Sequence, residues 1–263
     1  MKIGVSSASL YPEFVEDTLR SIGEMGIKNT EIFLNTFSEI KSDFVSELRK
    51  IKESYGINIT ALHPFTSGFE PYLLSRGYAR RYKDGIDLYT RFFWVAAELG
   101  AKIFVLHGDR PKGDKPYLPE YCEHFLRLSR IAAKEGVILT QENVNGYVAA
   151  DPDFVRGMVK ELGNNAMFTF DVKQTVRANV GTWEMYDAMR GHIAHMHLSD
   201  HNEKSDCLLP GNGEFNFEKL FRIAVADGYE GAALIEVYSN AYTTHSQLAE
   251  SYNMLLEKYK SVL

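Results

Sequence analysis

The stretch Ile193-Ala194-His195-Met196-His197-Leu198-Ser199-Asp200 decides how the rest of the chain is read. It has the character of a buried strand that runs out into polar groups. Side chains on a strand alternate faces, so His195 and His197 point the same way with Ile193 beneath them. In a closed barrel of parallel strands His197 then sits at the rim and His195 one layer deeper. Three other apolar runs also end on an acid: Val137-Ile138-Leu139-Thr140-Gln141-Glu142, Met167-Phe168-Thr169-Phe170-Asp171 and Ala232-Ala233-Leu234-Ile235-Glu236.

Outward from these four runs, short apolar stretches alternate with stretches of helical period along the whole chain. Further strands are expected over residues 2–7, 29–34, 57–62 and 102–106. Between them, residues 13–25 carry Phe14, Val15, Leu19 and Ile22 on one helical face. Ser42 reads as the N-cap of a helix carrying Phe44, Val45, Leu48 and Ile51. Residues 65–73 read as a loop, and a long helix is expected from there to Leu99. Asp151-Pro152 opens another helix with an acidic cap and a proline at its first position. Residues 175–189 form a less regular helical stretch, and Leu209-Pro210-Gly211-Asn212-Gly213-Glu214 reads as a glycine-rich loop. Eight strands alternating with helical segments close as a (β/α)8 TIM barrel, a single domain over residues 1–263. A doubly wound open sheet rarely carries eight regular repeats, and no glycine-rich nucleotide loop follows the first strand.

The chain has 263 residues, 45% of them hydrophobic and 24% charged, which is the composition of a soluble globular protein. Its formal net charge of −6 would repel a phosphate backbone, which counts against a nucleic-acid partner. Cys122 and Cys207 lie far apart without metal or redox spacing, so reduced thiols are expected. No apolar run is long enough to cross a bilayer, and the N-terminus runs straight into a strand. A cytoplasmic protein with no membrane partner is the expectation.

Six strands finish on an ionisable or metal-binding side chain: His63, His107, Glu142, Asp171, His197 and Glu236. In a parallel barrel all six ends open on one face. A single terminal carboxylate is ordinarily solvated or caps the next helix, and a lone histidine is ordinarily structural. Three carboxylates converging in one half-buried pocket are different, because they repel strongly unless protonated or neutralised. A divalent cation resolves the conflict, with His197 as the fourth ligand. Three oxygens and one nitrogen suit Mn²⁺, Mg²⁺ or Co²⁺ on hardness, and Zn²⁺ by general affinity. Among neighbouring groups, Asp200 reads either as an orienter of His197 or a substrate hydroxyl, or as a cap on the following loop. Lys173 and Glu214 read as rim-loop charges within reach of a substrate. His195 reads as a packed second-layer residue, and Phe65, Phe69, Trp183 and Tyr238 as pocket walls.

Through Gln141-Glu142-Asn143, Phe170-Asp171-Val172-Lys173-Gln174, His195 to Asp200, Leu209 to Gly213 and Ile235-Glu236, the whole chain resembles the sugar phosphate isomerase and epimerase family of xylose-isomerase-like barrels. The resemblance implies that Glu142, Asp171, His197 and Glu236 are shared metal ligands. It implies a divalent-metal-dependent isomerase or epimerase of a small ketose or polyol. Glu142 and Glu236 would then exchange a proton beside a carbonyl, through a metal-stabilised enediolate. The same scaffold carries apurinic-site endonucleases, whose zinc cluster adds histidines on strands three and four. His63 and His107 match those positions, so a second metal or a substrate contact is expected there. Gln174 replaces the histidine of the family's Asp-x-x-His pattern and is taken as a substrate contact. Ser205-Asp206-Cys207 offers no match to the nuclease's Asp-x-His pair. An inosose-type dehydratase is therefore the nearer alternative and a metal-dependent endonuclease the further one. The expected partner is a small sugar without phosphate, and self-association into a homo-oligomer stays open.

Overall fold

The computed structural model describes residues 1–74, 78–111 and 117–263. Eight parallel strands close into a barrel: β1 (Lys2–Ser6), β2 (Asn29–Phe33), β3 (Asn58–His63), β4 (Ile103–Leu106), β5 (Ile138–Glu142), β6 (Phe168–Asp171), β7 (Ile193–Leu198) and β10 (Ala232–Ile235). Around the ring the order is β1, β10, β7, β6, β5, β4, β3, β2, with β2 returning to β1. Between β7 and β10 the chain makes a small antiparallel hairpin of β8 (Asp200–Asn202) and β9 (Ser205–Leu208).

Helices cover the outside because each carries one apolar face. In α1 (Val15–Glu24) Val15, Leu19 and Ile22 are buried, and in α2 (Ser42–Tyr55) Val45, Leu48 and Ile51. A short α3 (Glu70–Leu73) precedes α4 (Ala79–Leu99), which drives Tyr89, Phe92, Phe93, Val95 and Leu99 against the barrel. The remaining helices are α5 (Leu118–Lys134), α6 (Pro152–Leu162), α7 (Val172–Arg177), α8 (Thr182–Met189), α9 (Phe217–Ala226) and α10 (His245–Lys260). Asp151 caps α6 as expected, its carboxylate accepting from the Asp153 amide at 2.9 Å.

Several expectations are corrected. Ser42 is the first residue of α2, and Lys41 precedes it in extended conformation without a side-chain cap. The long helix expected up to Leu99 begins only at Ala79, and its expected passage over residues 75–77 lies outside the described residues. The stretch 175–189 is two helices, because Asn179 turns the chain through a left-handed conformation (φ 53°) and α8 restarts at Thr182. The first of the two, α7, begins directly at the end of β6, with Asp171 as its N-cap. None of the described helices is long and apolar enough to cross a membrane.

Two register shifts place the site. Between β2 and β3 the pairing slips at Thr30/Glu31, and between β6 and β7 it slips at Phe168/Thr169. Such bulges bend a strand and re-aim its side chains. Beyond them Asp171 pairs with His197 and Thr169 with His195, so the two histidines occupy successive interior layers.

Candidate active site and metal centre

His197 is the hub. Its Nδ1 faces three carboxylates: Glu236 Oε2 at 2.5 Å, Glu142 Oε1 at 3.1 Å and Asp171 Oδ2 at 3.7 Å. Each acid reaches the spot from the end of a barrel strand, β5 for Glu142, β6 for Asp171 and just past β10 for Glu236. Backbone pairing locks the approach. The Asn143 side chain accepts from the Asp171 amide at 2.8 Å and donates to the Asp171 carbonyl at 2.9 Å, tying the ends of β5 and β6. Gln141 donates to the His107 carbonyl at 2.8 Å and so ties β4 to β5.

Glu142 Oε2, Asp171 Oδ2 and Glu236 Oε2 are buried and make no hydrogen bond of good geometry, although His107 Nε2, Lys173 Nζ and His197 Nδ1 stand 3.0, 3.4 and 2.5 Å from them. Leaving three anionic oxygens unsatisfied in one place is costly. Ligand atoms of Glu142, Asp171, His197 and Glu236 all lie within 4.8 Å of one another, so one cation could be shared by the four residues. The four residues expected as ligands are thus brought together, and the donor set fits a divalent ion.

His63 and His107 form a second group on the same carboxylate. Their Nε2 atoms are 3.0 Å apart, and Glu142 Oε2 lies 3.0 Å from His107 Nε2 and 3.6 Å from His63 Nε2. Glu142 therefore belongs to both groups.

Lys173 corrects the rim-loop expectation. Because α7 starts at once after Asp171, Lys173 is buried, with its ammonium 3.4 Å from Asp171 Oδ2 and 3.5 Å from Glu236 Oε1. It supplies one fixed positive charge among the three acids. Gln174 is also buried, and its Oε1 accepts from the Asn145 amide at 3.1 Å, which holds the loop after β5. Asp200 takes the loop-capping alternative. Its oxygens accept from the amides of His201, Gly211, Gly213 and Phe215 at 2.9–3.0 Å, which fastens the glycine-rich loop. A Cβ on Gly213 would meet Asp200 Oδ1 at 2.4 Å, so glycine is required at that close approach. Glu214 is exposed on the same loop. Of the expected walls, Phe65 and Tyr238 line a cavity of about 380 Å³ beside Glu236, together with Ala8, Tyr11, Phe33, Asn35 and Val237. Trp183 instead stacks on Phe215, with ring centroids 5.8 Å apart, and Phe69 is exposed.

Glu31 went unread in the sequence. It lies inside β2, fully buried, with Oε2 3.2 Å from Nε2 of both His195 and His197. The available signal was an acid within an apolar strand, a residue type almost never buried unless paired.

Burial and charge compete throughout this site. Burial raises Glu142, but His107 and His197 pull it well below the usual carboxylate range. Burial likewise opposes ionisation of Glu236, yet His197 and Lys173 hold it at about 2. At Asp171 burial wins over Lys173, and the group titrates higher than usual. Burial depresses His197, but Glu236 and Glu31 outweigh it and lift it well above an ordinary histidine. His63 is raised too, the pull of Glu142 exceeding its burial, whereas burial lowers His195.

A pH dependence follows. Groups raised on folding contribute stability below the unfolded value, about 6.5 for histidine, and lose it as pH rises through the folded value. For His197 and His63 that window lies above about pH 6.5. The lowered His195 acts only below that value and does not oppose the trend. The metal-free protein is therefore expected to lose stability as pH rises above about 6.5, by up to about 1.4 kcal/mol per pH unit for each raised histidine until that histidine has given up its proton. Urea midpoints in the presence of a chelator measure this. A metal-free protein that gains stability over that range contradicts the assignment.

Residues 19–258 match the family model described as xylose isomerase-like TIM barrel. The chain belongs to that family. Across 278 aligned residues it is 21% identical to fructoselysine 3-epimerase of Shigella flexneri, covering 100% of this chain and 98% of that one. It is 24% identical over 262 residues to 3-dehydro-D-guloside 4-epimerase of Escherichia coli strain K12, covering 90% and 92%. Among solved structures it resembles a D-tagatose 3-epimerase-like protein with a TM-score of 0.81 at 22% identity, over 100% of this chain and 98% of that one. At that identity the likeness speaks to the fold.

Proposed function

We propose that the protein is a divalent-metal-dependent epimerase or isomerase of a small ketose or polyol. The observation that carries the proposal is the convergence of the carboxylates of Glu142, Asp171 and Glu236 on His197 Nδ1 at the mouth of the barrel, their ligand atoms all within 4.8 Å of one another. Support comes from two relatives of almost full coverage whose names are those of sugar epimerases.

Glu142, Asp171, His197 and Glu236 would hold the ion, which when bound supplies Lewis-acid polarisation of a carbonyl and its neighbouring hydroxyl. Glu142 takes a proton from the carbon beside the carbonyl, leaving an enediolate. Glu236 returns one from the other side. The assignment rests on Glu142 being ionised and so able to accept the proton, on Glu236 first taking up, through the cavity it borders, the proton it returns, and on their approach from β5 and from beyond β10, with β6 and β7 between them. Lys173 keeps the acid cluster near neutrality once a dication is present, which favours build-up of negative charge on the substrate. His63 and His107 either hold a second ion through Glu142 or donate to substrate hydroxyls. Gln174 acts through the loop it holds.

The cavity beside Glu236 fits the non-reacting end of the substrate. Among the described residues its lining is largely aromatic, neutral apart from Glu236, and without lysine or arginine. Aromatic faces suit a sugar, while a phosphate dianion would meet the Glu236 carboxylate, and of the cations behind the wall Lys173 is already paired with Asp171 and Glu236, and Arg177 with Asp206. An assay of the metal-loaded protein on ketoses, their phosphate esters, inosose and abasic DNA tests the whole reading. The expected result is epimerisation or isomerisation of an unphosphorylated ketose, with a kcat/KM above that of its phosphate ester. Dehydration of inosose would move the reaction to the lyases, and strand cleavage of abasic DNA would overturn the proposal.

A further inference from the structure

Resting on that reading of the metal site, we infer that Glu31 is a positioning residue that fixes which nitrogen of His197 binds the ion. The imidazole of His197 is held between two sets of acids. Its Nδ1 faces Glu142, Asp171 and Glu236, and its Nε2 lies 3.2 Å from Glu31 Oε2. A neutral imidazole carries one proton, and the nitrogen that lacks it is the ligand. With Glu31 as an obligate acceptor, the proton stays on Nε2 and Nδ1 is left bare toward the three carboxylates. A carboxylate behind a ligating histidine also fixes the ring and raises its basicity.

The surroundings of Glu31 show that it is itself held. Its Oε1 accepts from Ser6 Oγ at 2.9 Å, which links β2 back to β1. His195, one layer below His197, brings its own Nε2 to 3.2 Å from the same Glu31 oxygen. The His195 and His197 rings meet edge to face with centroids 5.0 Å apart. His195 thus sets a second imidazole nitrogen against the Glu31 oxygen at ion-pair distance, although neither of its ring nitrogens makes a hydrogen bond of good geometry. Glu31, Ser6, His195 and His197 are all inaccessible to solvent, so no water competes for these bonds. Glu31 is in contact with His195 and His197 and with none of the three acids that would hold the ion, so its route to that ion runs through His197.

A spectrum of the wild type and an affinity series test this. In ¹⁵N-edited imidazole spectra of the Zn²⁺-loaded protein, His197 is expected to show a protonated Nε2 and a ligated Nδ1, and this measurement needs no variant. In chelator competition, Glu31→Leu is expected to weaken Zn²⁺ binding about 10–100-fold. Glu31→Gln, which keeps an acceptor oxygen, is expected to weaken it less. Ligation through Nε2 overturns the inference, as does a Glu31→Leu protein with wild-type affinity. So does an extra ion per chain that is lost on Glu31→Leu or His195→Ala, since Glu31, His195 and His197 would then themselves be ligands. A wild type that takes up no Zn²⁺, Mn²⁺ or Co²⁺ removes the metal reading and this inference together. Unchanged affinity in the variant removes this inference alone.

Discussion

Glu142→Gln and Glu236→Gln are each expected to lower kcat by about 10²–10⁴-fold on whichever ketose the protein turns over, the range that a positioned proton-transfer group contributes. Both carboxylates are ionised in the folded protein. Each also has a buried oxygen that makes no hydrogen bond of good geometry and can serve the ion or the substrate. Glutamine keeps the shape and an oxygen donor but cannot accept a proton. The two substitutions separate if deuterium exchange at the carbon beside the carbonyl is followed. The variant that still exchanges retains the proton-abstracting group for that substrate face. Glu214→Gln, on the exposed part of the loop, is expected to leave kcat unchanged. Metal content measured alongside distinguishes a lost base from a lost ligand. Full metal occupancy with full turnover in either carboxamide variant would contradict the proton-transfer role.

The barrel was legible because its signal is repetitive. Each inward-facing strand is a short apolar run, each helix has one apolar stripe, and the alternation recurs eight times. Strand-terminal acids were legible for the same reason, since every strand of a parallel barrel ends on one face. What escaped depends on local offsets that no period encodes. Glu31 sits in mid-strand, and its meeting with His195 and His197 needs the register shifts at Thr30/Glu31 and Phe168/Thr169. Lys173 read as a rim charge because an ordinary loop was assumed after Asp171. Direct entry into α7 puts it inside instead. Asp200 carried two equally plausible readings, and only the four amides folded back around it decide between them. The β8–β9 hairpin is too short for either period to register.

Metal loading is the second large effect. The folded protein alone presents Glu142, Asp171, His197 and Glu236 together, so an ion binds the folded state and stabilises it by RT ln(1 + [L]/Kd). At about 1,000 times Kd this is about 4 kcal/mol, large against a typical total of about 5–15 kcal/mol. Urea unfolding with Mn²⁺ and with a chelator measures it. Asp171→Asn and His197→Ala are expected to abolish most of the gain. The alkaline loss of stability described for the metal-free protein is also expected to vanish on loading, because the ion takes the place of the proton on His197.

That exchange of a proton for an ion gives the most direct test of the central claim. Mn²⁺ is titrated calorimetrically into metal-free protein near pH 7 in two buffers of different ionisation enthalpy. Saturable binding at one ion or more per chain is expected, with net proton release, because His197 is held protonated until the ion arrives. No saturable binding, or binding that persists unchanged in the His197→Ala protein, would contradict it.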